Sequence, residues 1–207
     1  MSKQALSGIR VLDFSQVLAG PFATQLLAQL GAQVIKIEQP VGGDMTRGLM
    51  SANSDGMAPS FLAANLGKRS LTLDLKNPKA TEIVHKLVAK ADVIVENFKP
   101  GTLERLGFGS KSMRAIKPEL VYASISGFGQ TGPRASLPAF DGAIQAYSGM
   151  MSISGHAETG PVRSGYFSVD MSTALNAAFA ITSALLRRAN TGEGQHVDVS
   201  MLDTAMF

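Results

Sequence analysis

The 207 residues contain no cysteine and no tryptophan, and only 6% of them are aromatic. Without thiols there is no disulfide scaffold, no thiolate nucleophile and no Cys-ligated zinc or iron–sulfur centre. A reducing compartment such as the cytoplasm fits that composition. Charge is sparse as well, at 17% of residues with a net charge of +3, and the Lys and Arg residues are scattered apart from pairs at Lys68-Arg69 and Arg187-Arg188. A nucleic-acid surface needs a stripe of cations to displace condensed counterions, and aromatic faces for bases to stack on. Neither pattern is present, and a small polyanionic ligand suits the balance better. Apolar runs are broken by Gly, Pro or polar residues short of the ~20 that span a bilayer. No apolar signal segment precedes the first strand pattern. Neither nucleic acid nor a membrane is therefore expected as a partner.

What is present is apolar substance: 45% of the residues are hydrophobic, enough to exclude disorder for most of the chain. At roughly 100–200 residues per domain, the length predicts one domain, or one with a fragment of a second. Ile9 to Phe14 alternates as a first strand. Pro21 then suits the first turn of a helix through Phe22, Leu26, Leu27 and Leu30, which Gly31 ends. Gln33 to Glu38 is a second strand, and the unit has the size of a right-handed βαβ crossover with parallel strands. Gln39 to Leu66, rich in Gly, Ser, Asn and Met, is expected to be a long irregular excursion. Further strands are predicted at Ser70–Asp74, Asp92–Glu96, Leu120–Ile125 and His196–Val199. Helices are predicted from Pro78 to Val88, around Thr102–Leu106, at Lys111–Ile116, at Phe140–Met150 and at Met171–Arg188. The alternation predicts an α/β fold with a mostly parallel sheet and flanking helices. Ser200-Met201-Leu202-Asp203 resembles a capping box opening a helix. An apolar helix of about two turns has no stability of its own, so the chain is expected to be the N-terminal part of something longer.

Several patterns invite chemistry. Gly127-Phe128-Gly129-Gln130-Thr131-Gly132 has the G-x-G-x-x-G spacing and follows a strand. A dinucleotide site also needs a helix to open there, and Pro133 and Pro138 oppose one, so a tight loop is expected. His85, His156 and His196 stand far apart with no H-x-x-x-H spacing, which supports no metal site. No Gly-x-Ser-x-Gly elbow occurs. Asp170 lies between an extended stretch and the long helix. As an N-cap its carboxylate would accept first-turn amides, and those amides together with the helix dipole would lower its pKa. Such an ionised carboxylate, facing a cleft, can attack a thioester carbonyl. Asn97-Phe98-Lys99-Pro100-Gly101 follows a strand directly, where parallel sheets bind ligands, and Lys99 and Arg105 could meet phosphates.

Together these segments resemble the class III coenzyme A transferases (the CaiB/BaiF type, with formyl-CoA transferases and carnitine CoA-transferases among its members). The resemblance is carried by Val11 to Pro21, Gly31 to Glu38, Gly43-Asp44-Met45-Thr46-Arg47, Asn65 to Ser70, Asp92 to Gly101, Gly127 to Pro133 and Thr191 to Gln195, in family order. It implies a Rossmann-like large domain over residues 1–190 that carries the nucleophile. Residues 191–207 would begin the connection to a small domain, in a homodimer whose full-length subunits interlock. Asp170 falls on the family's catalytic aspartate, which forms an anhydride with the acyl group and then a thioester with CoA before an acceptor acid takes the CoA. By the same resemblance, Val17, Leu18 and Ala19 lie beside the thioester and pantetheine. Leu73, Asp74, Leu75 and Lys76 lie near the nucleotide, and Asn97, Phe98, Lys99 and Arg105 form the strand-end loop with its cation. Gln39 stands where some members carry Arg near the adenine, and neutral Gln cannot pair with phosphate. Implied are coenzyme A as a substrate, no tightly bound cofactor, no metal, and an acyl-CoA and a small carboxylic acid as partners. The family's 2-methylacyl-CoA racemases need a second acid/base group. They carry His before the Asp matching Asp141, and here that place is Phe140, which favours transfer. A non-catalytic CoA-binding fragment is the remaining alternative.

Overall fold

The computed structural model describes residues 3–49 and 57–207. Among the described residues, six strands form one parallel sheet: β1 (Arg10–Asp13), β2 (Gln33–Glu38), β3 (Arg69–Thr72), β4 (Val93–Glu96), β5 (Val121–Ser126) and β6 (His196–Ser200), in the order β3-β2-β1-β4-β5-β6. Every neighbouring pair is parallel, with Leu12 facing Ile35 on one side and Ile94 on the other. This is the Rossmann order, and its chain reversal between β1 and β4 opens a crevice at the carboxyl ends of those strands. Around the sheet run α1 (Ala19–Gln29), α2 (Pro59–Asn65), α3 (Pro78–Val88), α4 (Thr102–Arg105), α5 (Ser110–Ile116), α6 (Asp141–Tyr147), α7 (Ser168–Thr191) and α8 (Met201–Ala205).

Strands covered on both faces read as continuous apolar runs whose alternate side chains enter different cores. On β5, Val121, Ala123 and Ile125 join a core with α1 and α7, whereas Tyr122 joins a second core with Val84 and Val88 of α3 and Met113 of α5. The face that α7 lays on the first core is built from Ala174, Ala177, Ala178, Ile181, Ala184 and Leu185. Its small residues let α7 and α1, with Ala19 and Ala23, approach closely.

The structure departs from the sequence expectations in two places. The stretch 39–66 is not wholly irregular: a 3-10 turn spans Met45–Gly48 and α2 follows, with Pro59 in its first turn. Residues 50–56 of that stretch lie outside the described residues. The long helix starts at Ser168 rather than at Met171, and it ends where Gly192, at φ 76°, takes the left-handed conformation. At 24 residues, α7 is also long and apolar enough to cross a membrane by length and composition. One face, with Ala174, Ala177, Ile181 and Ala184, is buried in the first core, and 44% of the apolar span is buried. The segment after 190 contributes β6 to the sheet, and Ser200 caps α8 through the Asp203 amide (3.1 Å).

Candidate active site

The loops that leave β1, β4 and β5 meet at the crevice and enclose a cavity of about 520 Å³. Gln16, Val17, Leu18 and Ala19 supply one wall, and Asn97, Phe98, Lys99 and Pro100 a second. Ser126 and Gly127 close the floor, Leu137 to Phe140 the far side, and Asp170 and Met201 complete the lining. Gly127 permits this closure, because a Cβ there would collide with the Ala139 side chain.

The first wall is held unusually firmly. The Asn97 side chain grips the Gln16 backbone twice, accepting its N–H (2.8 Å) and donating Nδ2 to its carbonyl (2.7 Å). Val17 sits at φ 68°, the one non-glycine in that region among the described residues. A β-branched residue there is strained, and such strain persists only where the surroundings over-determine it. The constraint comes from below. Two buried lysines pin the loop backbone on either side: Lys36 Nζ donates to Ser15 O (2.7 Å) and Lys68 Nζ to Pro21 O (2.7 Å). Each lysine also faces a buried carboxylate, Asp44 for Lys36 and Asp13 for Lys68, both at 2.9 Å. Asp44 Oδ1 in turn accepts the strained Val17 N–H (3.3 Å). Burial pushes Asp13 up, but the Lys68 and Lys36 ammoniums and the Ser15 hydroxyl outweigh it and hold the carboxyl well below the usual carboxylate range. For Lys68 burial wins over the attraction of Asp13, and its pKa falls to about 8. Asn97→Ala removes both bonds to Gln16. We expect a loss of about 1–3 kcal/mol in urea unfolding and faster hydrogen exchange at the Gln16 amide.

Asp170 is not the N-cap of its helix. It is the third residue of α7, whose capping position, Phe167, offers no side-chain hydrogen bond. The free amides of Val169 and Asp170 are accepted instead by Oδ2 of Asp141 on α6, at 2.8 and 3.0 Å. Relieved of that role, the Asp170 carboxylate lines the cavity. Its pKa is raised to about 7, first by burial and then by the charge of Asp141. This corrects the expected lowering: Asp170 lies inside the first turn and does not cap it, so no first-turn amide offsets its burial and the Asp141 charge.

Of the residues singled out by sequence, Val17, Leu18, Ala19, Asn97, Phe98, Lys99 and Asp170 share the one cavity. Leu73 and Leu75 pack against the second core, and the Asp74 side chain turns the backbone by accepting the Lys76 amide (3.0 Å). Gln39 and Arg105 are exposed, Gln39 donating to Gly43 O (3.2 Å) and Arg105 to Thr102 Oγ1 (3.2 Å). These six, Lys76 included, lie outside the cavity lining. Sequence reasoning missed Ser126, Leu137 and Met201 as wall residues and Asp141 as the cap. An acid opening a predicted helix was the one visible signal for Asp141.

A parallel sheet in Rossmann order, with strand-end loops around a cavity and a carboxylate on its wall, defines an α/β ligand-binding domain with a candidate nucleophile. Residues 6–207 match CoA-transferase family III, and the chain belongs to that family. It is 44% identical over 207 residues to the succinate–glutarate CoA-transferase of Agrobacterium fabrum, covering 97% of this chain and 52% of the relative. It is 45% identical over 202 residues to the acetyl-CoA:oxalate CoA-transferase of Acetobacter aceti, covering 97% and 52%. The crystal structure of a CAIB/BAIF family protein from Brucella suis superposes with a TM-score of 0.95 at 42% identity, covering 99% of this chain and 55% of that one. The chain thus spans about half the length of the curated relatives it matches.

Proposed function

We propose that the full-length protein transfers coenzyme A from an acyl-CoA thioester to a small carboxylic acid, with Asp170 as the nucleophile. The observation that carries this is the Asp170 carboxylate in the wall of the strand-end cavity. An Asp170 oxygen attacks the acyl carbonyl, the carbon–sulfur bond breaks, and the products are a mixed anhydride and a CoA thiolate. The thiolate attacks the Asp170 carbonyl carbon and releases the donor carboxylate, leaving an aspartyl-CoA thioester. The acceptor carboxylate attacks that thioester to form a new anhydride and free thiolate. The thiolate then attacks the acceptor's acyl carbon, which yields the new acyl-CoA and regenerates Asp170. A carboxylate titrating near neutrality is a better nucleophile than an ordinary one, but it is only partly ionised at pH 7. The relatives' names, which pair succinate with glutarate and acetyl-CoA with oxalate, support this reaction class.

Val17, Leu18, Ala19, Asn97, Phe98 and Lys99 are proposed to hold the pantetheine and thioester. Leu73 to Lys76, Gln39 and Arg105 are proposed for the nucleotide end. The active unit is proposed to be a cytoplasmic homodimer with interlocked subunits. The outward stripe of α7, Leu175, Phe179 and Leu186, with Phe179 71% exposed, supports a covering surface in the whole protein. No protonatable group stands at Phe140, which is 66% exposed on the cavity lip. That favours transfer over racemisation, which needs a second proton carrier.

Hydroxylamine added during turnover with acyl-CoA should convert the activated side chain to a hydroxamate, and peptide mass mapping should place it at Asp170. Modification elsewhere, or none, removes this mechanism. Exchange of the substrate α-proton in heavy water without CoA transfer would assign the racemase reaction instead, and retention on CoA resin without either reaction would assign a binding role only.

A further inference from the structure

We propose that Asp141 is a positioning residue for Asp170, supplying from α6 the N-cap that α7 lacks and keeping a fixed negative charge beside the reactive carboxylate. This deepens the functional reading above and concerns the same site.

The geometry has three parts. First, Asp141 is 3% exposed, and burying an ionised carboxylate demands partners for its lone pairs. They are the Val169 and Asp170 amides on Oδ2 and Gln145 Nε2 on Oδ1 (2.6 Å). Second, Gln145, fully buried, extends the hold: its Nε2 reaches Ser164 Oγ (2.8 Å), its Oε1 accepts the Ser164 amide (2.9 Å), and Ser164 Oγ lies 2.8 Å from Ser168 Oγ. The chain entering α7 is thereby fixed before Asp170 is reached. Third, Asp141 and not Asp170 takes the free first-turn amides of α7, those of Val169 and Asp170. The nucleophile keeps its free oxygens for the cavity and gains a like charge as neighbour. Other charged groups near the site are Lys99 on the loop after β4, Arg163 beside Gly142, and Asp203 in α8. Asp141 is the one whose charge acts on Asp170.

An ordinary helix cap and a positioning residue make different predictions. Asp141→Asn keeps an oxygen for the α7 amides and removes the charge. In the full-length protein labelled with carboxyl-13C aspartate, the Asp170 signal, assigned by its loss in Asp170→Asn, should titrate near 7 in the parent. In Asp141→Asn its midpoint should move down by about one pH unit, the effect of removing one close like charge. Asp141→Glu, which restores the charge, should bring the midpoint back toward the parent. In turnover, the acid limb of kcat/KM should follow the same displacement with KM for acyl-CoA nearly unchanged, because the proposed CoA contacts lie on other loops. An unmoved midpoint in a folded Asp141→Asn, or in Asp141→Glu equal to a displaced Asn variant, overturns the proposal. Should the midpoint move in a protein that transfers no CoA, the functional reading fails while the placement of Asp141 stands.

Discussion

Asp170→Ala in the full-length protein should lower CoA transfer by roughly 10⁴-fold, the scale on which enzymes lose a nucleophile, with CoA still bound. The separation of the two effects follows from position. Asp170 is one residue of the cavity wall, whereas the loops proposed to grip CoA come from β1 and β4. The same side chain carries a stability signature that does not depend on the reaction. Its folded pKa, about 7, lies above the unfolded value of 3.8. Between those values the native state keeps a proton that the unfolded chain has released, so stability falls as pH rises through this window and stays reduced above it. Asp170→Asn is neutral throughout. It should therefore be more stable than the parent at pH 8, by roughly 1–3 kcal/mol, and equal to it below pH 4. Urea unfolding across that range measures the difference. A variant that loses both activity and stability at pH 8 would mean that Asp170 serves the fold.

The elements fixed by local chemistry were legible in the sequence. β2 and α3 fall where alternation and Pro78 place them. The strand-end cavity was legible too, because a parallel sheet puts its ligand loops at the carboxyl ends. What escaped depends on contacts distant in the chain. Asp170 has the local look of an N-cap, yet the cap is Asp141, 29 residues earlier in sequence and brought near only by packing. Lys36, inside β2, and Lys68, just before β3, read as ordinary polar positions. Their carboxylate partners and the carbonyls they hold appear only in three dimensions. α2 was hidden in a stretch whose Gly, Ser and Asn composition argues for loop, although Pro59 followed by Ser60-Phe61-Leu62-Ala63-Ala64 has a helix start with Phe61 and Ala64 on the buried side. Its place is fixed in part by the Phe61 ring, which lies 3.7 Å beneath the Arg47 guanidinium.

The largest stability effect should come from Lys68→Met, far from any reacting atom. Methionine fills much the same volume as the lysine stem, so the change isolates the ammonium. Lys68 Nζ bonds Asp13 Oδ2 (2.9 Å), Pro21 O (2.7 Å) and Asn65 Oδ1 (2.8 Å). Asp13 is wholly buried and keeps only Ser15, Thr24 and the field of Lys36 after the change. An uncompensated buried charge costs about 3–5 kcal/mol, and the remaining partners place the loss toward the lower end. Asp13→Leu added to Lys68→Met removes the stranded anion and should recover part of the deficit, since an apolar pair avoids the desolvation of both ions. The acid limb supplies an independent check. Asp13 has a depressed folded pKa, so its contribution is present above the unfolded value of 3.8 and is lost as pH falls below it. Without Lys68 its folded pKa rises, and the onset of acid unfolding should move to higher pH. Because Lys68 also ties down the Pro21 carbonyl in the first turn of α1, just beyond the loop that carries Val17, exchange at the Val17 amide should quicken and CoA binding weaken together. A Lys68→Met protein as stable as the parent at pH 7 would show that this ionic network is not what holds Val17 in its strained conformation.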